Sequence, residues 1–481
     1  MKPRALALAG LAALGVRAGD GPGFALQATT DLACRRDLMA TWPRDSPATG
    51  RPPDQFQAVL SLVANQGPWT GGLTVRDVNF YQQNPNLTLE RPTASLYRKY
   101  IKYSANQWSL QAGDFNTLIG RGLLLSVVEN AAILQEKTIL GGDARGRFGP
   151  VEVHALAGTV TTDDRTQQWR ITGGEASVEV FRGNRVGILG STIEDGRVPL
   201  RKPHVGRRQC RSASASGKDL FGTLDYYAEL GRMDFLDQPA PFFQMPVDPR
   251  HGDGAYGNLS FHPRAWFLMA EYKNYKNFDN ALSAPPLADR DTERNDLFRS
   301  TGRRIYGQYS FKDPDLTLFL SAGRYRELFD AGHNVYGGFK VQDAFDRLDL
   351  SCTYGQRTVQ YQEKRTDAAL TWRFTPLWSL GLTLRDQRNR PPWSAPYEET
   401  DFTVQVARSP RYAVYVLQQR STVPVFDATR LFYGGLRVNF RRGSYLDCSG
   451  GRLRGGEVCA GGQCITLPPF RGWKLAAHLR W

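Results

Sequence analysis

Phe470-Arg471-Gly472-Trp473-Lys474-Leu475-Ala476-Ala477-His478-Leu479-Arg480-Trp481 is the stretch whose reading decides the fold. Its side chains divide into two classes with a period of two. Trp473, Leu475, Ala477, Leu479 and Trp481 fall on one face, and Gly472, Lys474, Ala476, His478 and Arg480 on the other. That period belongs to an extended strand, whose successive side chains point to opposite faces. One apolar face, one charged face and a terminal aromatic together predict the closing strand of a transmembrane β-barrel with its apolar face on lipid. Trp481 is then the assembly signal read by the barrel-insertion machinery.

The other end of the chain predicts the matching address. Lys2 and Arg4 precede an apolar run from Ala5 to Val16, and Val16-Arg17-Ala18 offers small residues at cleavage spacing. Residues 1–18 therefore read as a secretory signal peptide, and residues 19–481 as the barrel. The apolar run is too short to span a membrane as a helix. Lys2, Arg4 and Arg17 would leave with the peptide, taking the formal net charge from +14 to +11. The expected location is the bacterial outer membrane, crossed many times by strands.

Composition agrees with a barrel. The 20 Tyr, 10 Trp and 25 Phe supply the aromatic girdles that membrane interfaces demand. Six cysteines are too few for a disulfide framework in a chain of 481 residues. Cys459 and Cys464, separated by Ala-Gly-Gly-Gln, are expected to be bridged within an extracellular loop at 454–466, while Cys352 falls on an apolar face as a small hydrophobe.

From residue 24 onward, strands are joined alternately by tight turns and longer polar connections. Tight turns are read at Gly67-Pro68, Gly149-Pro150, Gly183-Asn184, His262-Pro263, Asp313-Pro314, Thr375-Pro376 and Ser409-Pro410. Ala368, Leu370, Trp372 and Phe374 lead into one of them, and Trp378, Leu380, Leu382 and Leu384 leave it. Tight turns in the periplasm and long connections outside predict an all-β, antiparallel barrel of about 22 to 24 strands. Residues 195–252 accommodate one hairpin or none.

So wide a barrel leaves an open lumen unless something fills it. The candidate insert is residues 113–142, GDFNTLIGRGLLLSVVENAAILQEKTILGG, whose run Leu123-Leu124-Leu125 with Val127 and Val128 suits a water-exposed loop poorly. Two extra wall strands are the competing reading of 118–128. As an insert, it would be held by Asp114 and Glu129 against wall arginines and by Arg121 against wall acids.

Ser109-Leu110-Gln111-Ala112-Gly113-Asp114-Phe115, then Gly120-Arg121-Gly122-Leu123 and Gly141-Gly142, resemble a family of uncharacterised bacterial outer-membrane β-barrels catalogued as a domain of unknown function. The segment from Arg454 to Cys464, followed by Pro469-Phe470-Arg471-Gly472, resembles it as well. Asn116 and Thr117 depart from the family's larger residues at those positions. The resemblance implies the barrel fold and no activity.

Chemistry is sparse. None of the six histidines stands in a metal-binding spacing, and no catalytic constellation, metal site or cofactor is expected, so the chain is read as no enzyme. An exported barrel rarely meets nucleic acid. The basic excess fits lipopolysaccharide phosphates at the outer rim, and the inward-facing Arg373, Arg385, Arg437, Arg441, Lys474 and Arg480 fit small anionic solutes or pair with acids across the wall. Two functions follow: a channel or transporter-like pore for small polar or anionic solutes, or a non-conducting surface scaffold that partners another envelope protein.

Overall fold

A computed structural model describes residues 24–37, 54–78, 95–128, 138–161, 168–195, 207–236, 251–278, 282, 299–312, 315–326, 331–358, 362–391, 394–425, 428–440, 443–460, 463–467 and 469–480. Twenty-four of its strands form one antiparallel sheet. Consecutive strands pair around the wall, and Phe24–Asp37 pairs with both Asp54–Gln66 and the last strand, Phe470–Arg480. The sheet is thus closed and has no free edge, which satisfies every strand's backbone without water. Across the seam Asp31 stands opposite His478, whose Nδ1 lies 2.6 Å from Asp31 Oδ1. No α-helix occurs among the described residues.

The count lies at the upper end of the range read from the sequence. Residues 195–252 contribute a full hairpin, Arg208–Leu220 and Leu224–Phe235, with both strands in the wall. Its turn, Phe221-Gly222-Thr223, contains no proline, and neither does the turn at 345–347. Those turns carry their positive φ on Asp, Phe and Gly instead.

Two short hairpins stand apart from the wall. Thr117–Ile119 pairs with Leu125–Val127, and Gly456–Ala460 pairs with Gln463–Leu467. Residues 117–127 are therefore not wall strands. The flanks of the candidate insert are: Trp108–Phe115, which contains Asp114, pairs with Ile139–Phe148 in the barrel sheet.

The outer face is apolar, as a lipid solvent requires. Ile188, Leu230 and Ile305 are each about 70% exposed. Aromatic side chains collect at the short-turn rim: Tyr103 meets Trp69 edge-on and Trp108 at a tilt, at centroid distances of 4.8 and 4.9 Å. Trp266 with Tyr309 and Trp378 with Tyr412 repeat the arrangement farther round. Amphipathic rings on the outer surface at one level form the belt expected where lipid meets water.

Candidate functional site

Inside the barrel the alternation of apolar and polar positions breaks down over one sector. Leu156, Val160, Trp169, Ile171, Leu189 and Ile193 are buried although they share the inward face with His154, Glu175 and Ser191. Apolar side chains on a lumen wall need something to cover them, because water would otherwise meet them. The cover is the hairpin at 117–127. Ile119, Leu123, Leu124, Leu125 and Val127 are fully buried in one cluster with those wall residues and with Met233, Tyr275, Phe278 and Leu282.

Glycines on the wall make the sockets. A Cβ on Gly231 would lie 3.3 Å from Leu123 Cδ2, one on Gly254 would lie 3.1 Å from Leu123 Cδ1, and one on Gly173 would lie 3.2 Å from Ile119 Cδ1. Any larger residue at these three positions would occupy space that the hairpin fills. Full burial of each aliphatic side chain contributes about 1.5–3 kcal/mol to docking. Ser126 N donates to Leu282 O at 2.7 Å, which ties the hairpin to Leu282 of the same buried cluster.

Polar groups hold both ends of the hairpin. At its tip, Gly120 has φ +62°, and a Cβ there would lie 2.6 Å from Glu229 Oε2, so only glycine fits the approach. Glu229 is fully buried and accepts hydrogen bonds from Arg121 N at 3.2 Å, Tyr227 Oη at 2.5 Å and Ser212 Oγ at 3.0 Å. The Arg121 guanidinium lies over the Tyr227 ring, 4.8 Å from its centroid. Gly120 N reaches Glu175 Oε2 at 3.4 Å. At the base, Arg145 Nη2 donates to Thr117 Oγ1 at 3.2 Å, and its Nε donates to Asp143 Oδ2 at 3.0 Å. His154 links the two ends: Nε2 is 2.5 Å from Asp143 Oδ1, and Nδ1 is 3.9 Å from Glu175 Oε1.

The residues singled out from sequence fall in several places. Arg121 is at the hairpin tip, and its contact with a wall acid runs through its backbone N–H. Asp114 belongs to the wall, where Lys99 N donates to its Oδ2 at 2.8 Å and Lys99 Nζ lies 3.9 Å away, so its partner is lysine. The positive φ of Gly113, +104°, turns Asp114 to that neighbouring strand. Arg373, Arg385 and Arg437 each meet an acid: Arg373 pairs with Asp343 and Asp349, while Nε of Arg385 and of Arg437 lies 3.1 Å from Asp367 and Asp447 respectively. Lys474 and Arg480 share the face of His478, and Arg480 N donates to Ser444 Oγ at 2.9 Å. Glu129, Arg441 and Trp481 lie outside the described residues, as do residues 1–23. In the second hairpin the backbone sets Cys459 directly opposite Cys464.

The sequence did not reveal Glu229, Glu175 or the three socket glycines. The signal was present as inward positions turning small or apolar, in Gly231 and Met233 along one strand and Ile171 and Gly173 along another. A further contact also escaped it: Arg454, before the second hairpin, reaches Glu399 Oε1 at 3.1 Å, and its N donates to Gln419 Oε1 at 2.9 Å.

No protein-family model matches the chain, and no curated protein matches it either. Among solved structures it is similar to the siderophore receptor PirA from Pseudomonas aeruginosa, at 9% identity and a TM-score of 0.48, over 95% of this chain and 80% of that one. It is similar to the copper transporter OprC at 10% identity and a TM-score of 0.45, over 95% and 81% of the two chains. Against OpdK from Pseudomonas aeruginosa, solved with vanillate, the values are 14% and 0.39, over 82% and 98%. Likeness at these levels carries no argument about activity; the barrel rests on its own closed sheet.

Proposed function

We propose that this chain is a gated channel or transporter-like pore of the bacterial outer membrane, closed by the hairpin at 117–127. The observation that carries the reading is the fit of that hairpin to the wall. Sockets at Gly173, Gly231 and Gly254 receive apolar side chains, while Glu175 and Glu229 receive the tip. A scaffold needs only its loops and has no use for a lumen shaped to a removable cover. The hairpin leaves the wall between two strands that already pair, Phe115 opposite Ile139, so its movement breaks no strand-to-strand hydrogen bond of the barrel sheet and costs its own contacts with Glu175, Glu229 and Arg145.

Small polar solutes, with anions preferred, are the class we infer. The support is the chain's excess of basic residues, 61 Lys and Arg against 47 Asp and Glu. Arg373, Arg385 and Arg437 contribute less to that preference than their number implies, because each is paired. The short-turn rim faces the periplasm, residues 1–18 are removed on export, and outward basic residues meet lipopolysaccharide phosphates.

The Cys459–Cys464 bridge belongs to this reading too. Two residues separate Ala460 from Gln463, which makes that pair the hydrogen-bonded closure of a two-residue hairpin and the next pair a non-hydrogen-bonded one. Such pairs bring Cα atoms to about 4.5 Å, within disulfide reach.

Uptake by liposomes tests the function. Barrels lacking residues 117–134 should admit small organic anions faster than cations of equal size, and faster than the intact protein does. Vesicles that stay impermeable with the folded deletion variant support the scaffold instead.

A further inference from the structure

Two of the short turns are built alike. Asp219-Leu220-Phe221-Gly222-Thr223-Leu224-Asp225 and Asp343-Ala344-Phe345-Asp346-Arg347-Leu348-Asp349 share the pattern Asp-x-Phe-x-x-Leu-Asp. In both, the first Asp and the Phe take positive φ, 53° and 53° in one turn and 52° and 54° in the other. In both, N–H of the first Asp donates to Oδ1 of the last at 2.8 Å. The following strand then sets one more residue beside the carboxylates. Leu224 stands opposite Phe261, and Leu348 opposite Trp372. The next residue donates its N–H back into the turn, His262 to Thr223 O and Arg373 to Arg347 O, each at 2.8 Å.

The corners therefore match position by position, and they differ in the group that faces the two carboxylates. In one, Arg373 Nη1 lies 3.3 Å from Asp349 Oδ2, and Nη2 is hydrogen-bonded to Asp343 Oδ1. In the other, His262 Nε2 lies 3.4 Å from Asp225 Oδ1 and 3.9 Å from Asp219 Oδ1. A guanidinium is always charged and fills its place as a cation. A neutral imidazole brings a lone pair instead, which leaves three electron-pair donors converging where the matching corner holds positive charge.

We propose that Asp219, Asp225 and His262 bind a divalent transition-metal ion, Zn²⁺ or one of similar preference, at the short-turn mouth of the lumen. There the ion clips the turn to the next strand, as Arg373 does at the matching corner. The three donor atoms lie within 4.8 Å of one another. Nitrogen and oxygen donors at about 2.0–2.2 Å from a tetrahedral ion stand roughly 3.3–3.6 Å apart. The pair His262 and Asp225 already meets that spacing, and Asp219, whose side chain is 78% exposed, has room to close the remainder. One imidazole with two carboxylates suits zinc and its neighbours better than calcium or magnesium, which take oxygen. Three protein ligands leave a fourth position to water.

Titration of the untagged, chelator-stripped barrel with Co²⁺, followed by visible absorption and then by competition with Zn²⁺, tests the site. One ion should bind per barrel, with binding weakened at least tenfold in His262→Gln and in Asp225→Asn, folding being checked by the mobility of unboiled protein on a gel. Arg373→His converts the second corner and should raise the count to two ions. A barrel that binds no ion saturably, or binds it equally well after His262→Gln, overturns the site. A folded Arg373→His barrel that still binds one ion overturns the equivalence of the corners on which the proposal stands.

Discussion

Replacing Leu123 by alanine should release the hairpin and leave the barrel standing. Leu123 is fully buried between Gly231 and Gly254, with Phe278 beside it, and it makes no hydrogen bond of the wall sheet. Truncating such a leucine costs about 2–5 kcal/mol, through lost transfer energy and the cavity left behind. The cost falls on docking, because the glycines around it can neither collapse inward nor supply new contacts. At about 1.4 kcal/mol per factor of ten, the undocked population should rise roughly 30-fold to a few thousandfold. Trypsin reports that population, since Arg121 at the tip is cut only when its backbone leaves Glu229. Where reclosing is fast compared with cleavage, the rate of cutting follows the open population. Mass analysis should show the cut after Arg121 accelerating by the same factor, while unboiled protein keeps its folded position on a denaturing gel. An unchanged rate of cutting, with the barrel intact, would refute the docking argument.

Other changes test other parts of the account. Gly231→Val fills the socket from the wall side and should also speed cleavage after Arg121, because its new Cβ would stand 3.3 Å from Leu123 Cδ2 before its methyl groups are counted. Cys459 and Cys464 fall in one tryptic peptide, between Arg454 and Arg471, which without reductant should lack two hydrogens and resist alkylation, and reducing the link should leave the barrel folded, since so short a loop restrains little of the unfolded chain. Two free thiols there would contradict the bridge. Trp481→Asp should deplete folded protein from the outer membrane; normal amounts would remove the terminal aromatic from any role in assembly.

The wall was legible because each strand carries its own period. Trp372 and Phe374 before a turn, and Trp378 and Leu380 after it, place the strand, its face and its end without reference to any neighbour. The turns that escaped, at 221–223 and 345–347, hold their shape through Asp carboxylates that accept a backbone N–H six residues away, which leaves no proline to read. The apolar run around Leu123 marked the insert, because hydrophobicity is a local property. Its receptor was not legible. Glu229 lies 108 positions from Arg121 in the chain, and Gly173 becomes a socket only when the barrel closes and sets Ile119 against it. The wall arginines are an intermediate case. Alternation placed Arg373, Arg385 and Arg437 inward, and register supplied their acids, with Arg385 directly opposite Asp367 and Arg437 opposite Asp447. The gathering of Asp219, Asp225 and His262 is likewise a product of register, so no spacing rule for metal ligands finds it.

Single-channel recording in a planar bilayer bears most directly on the claim that the hairpin closes the lumen. The intact protein and the variant lacking residues 117–134 differ only in the hairpin and the segment that follows it, and five residues remain to connect Phe115 with Ile139, already partners in the wall. The intact protein should show rare or small openings, and the variant a steady, larger conductance that prefers anions. That preference should fade toward 1 M salt, where screening shortens the reach of a wall charge to about 3 Å. Equal conductance in the two proteins, or silence in both, would contradict closure of the lumen by the hairpin.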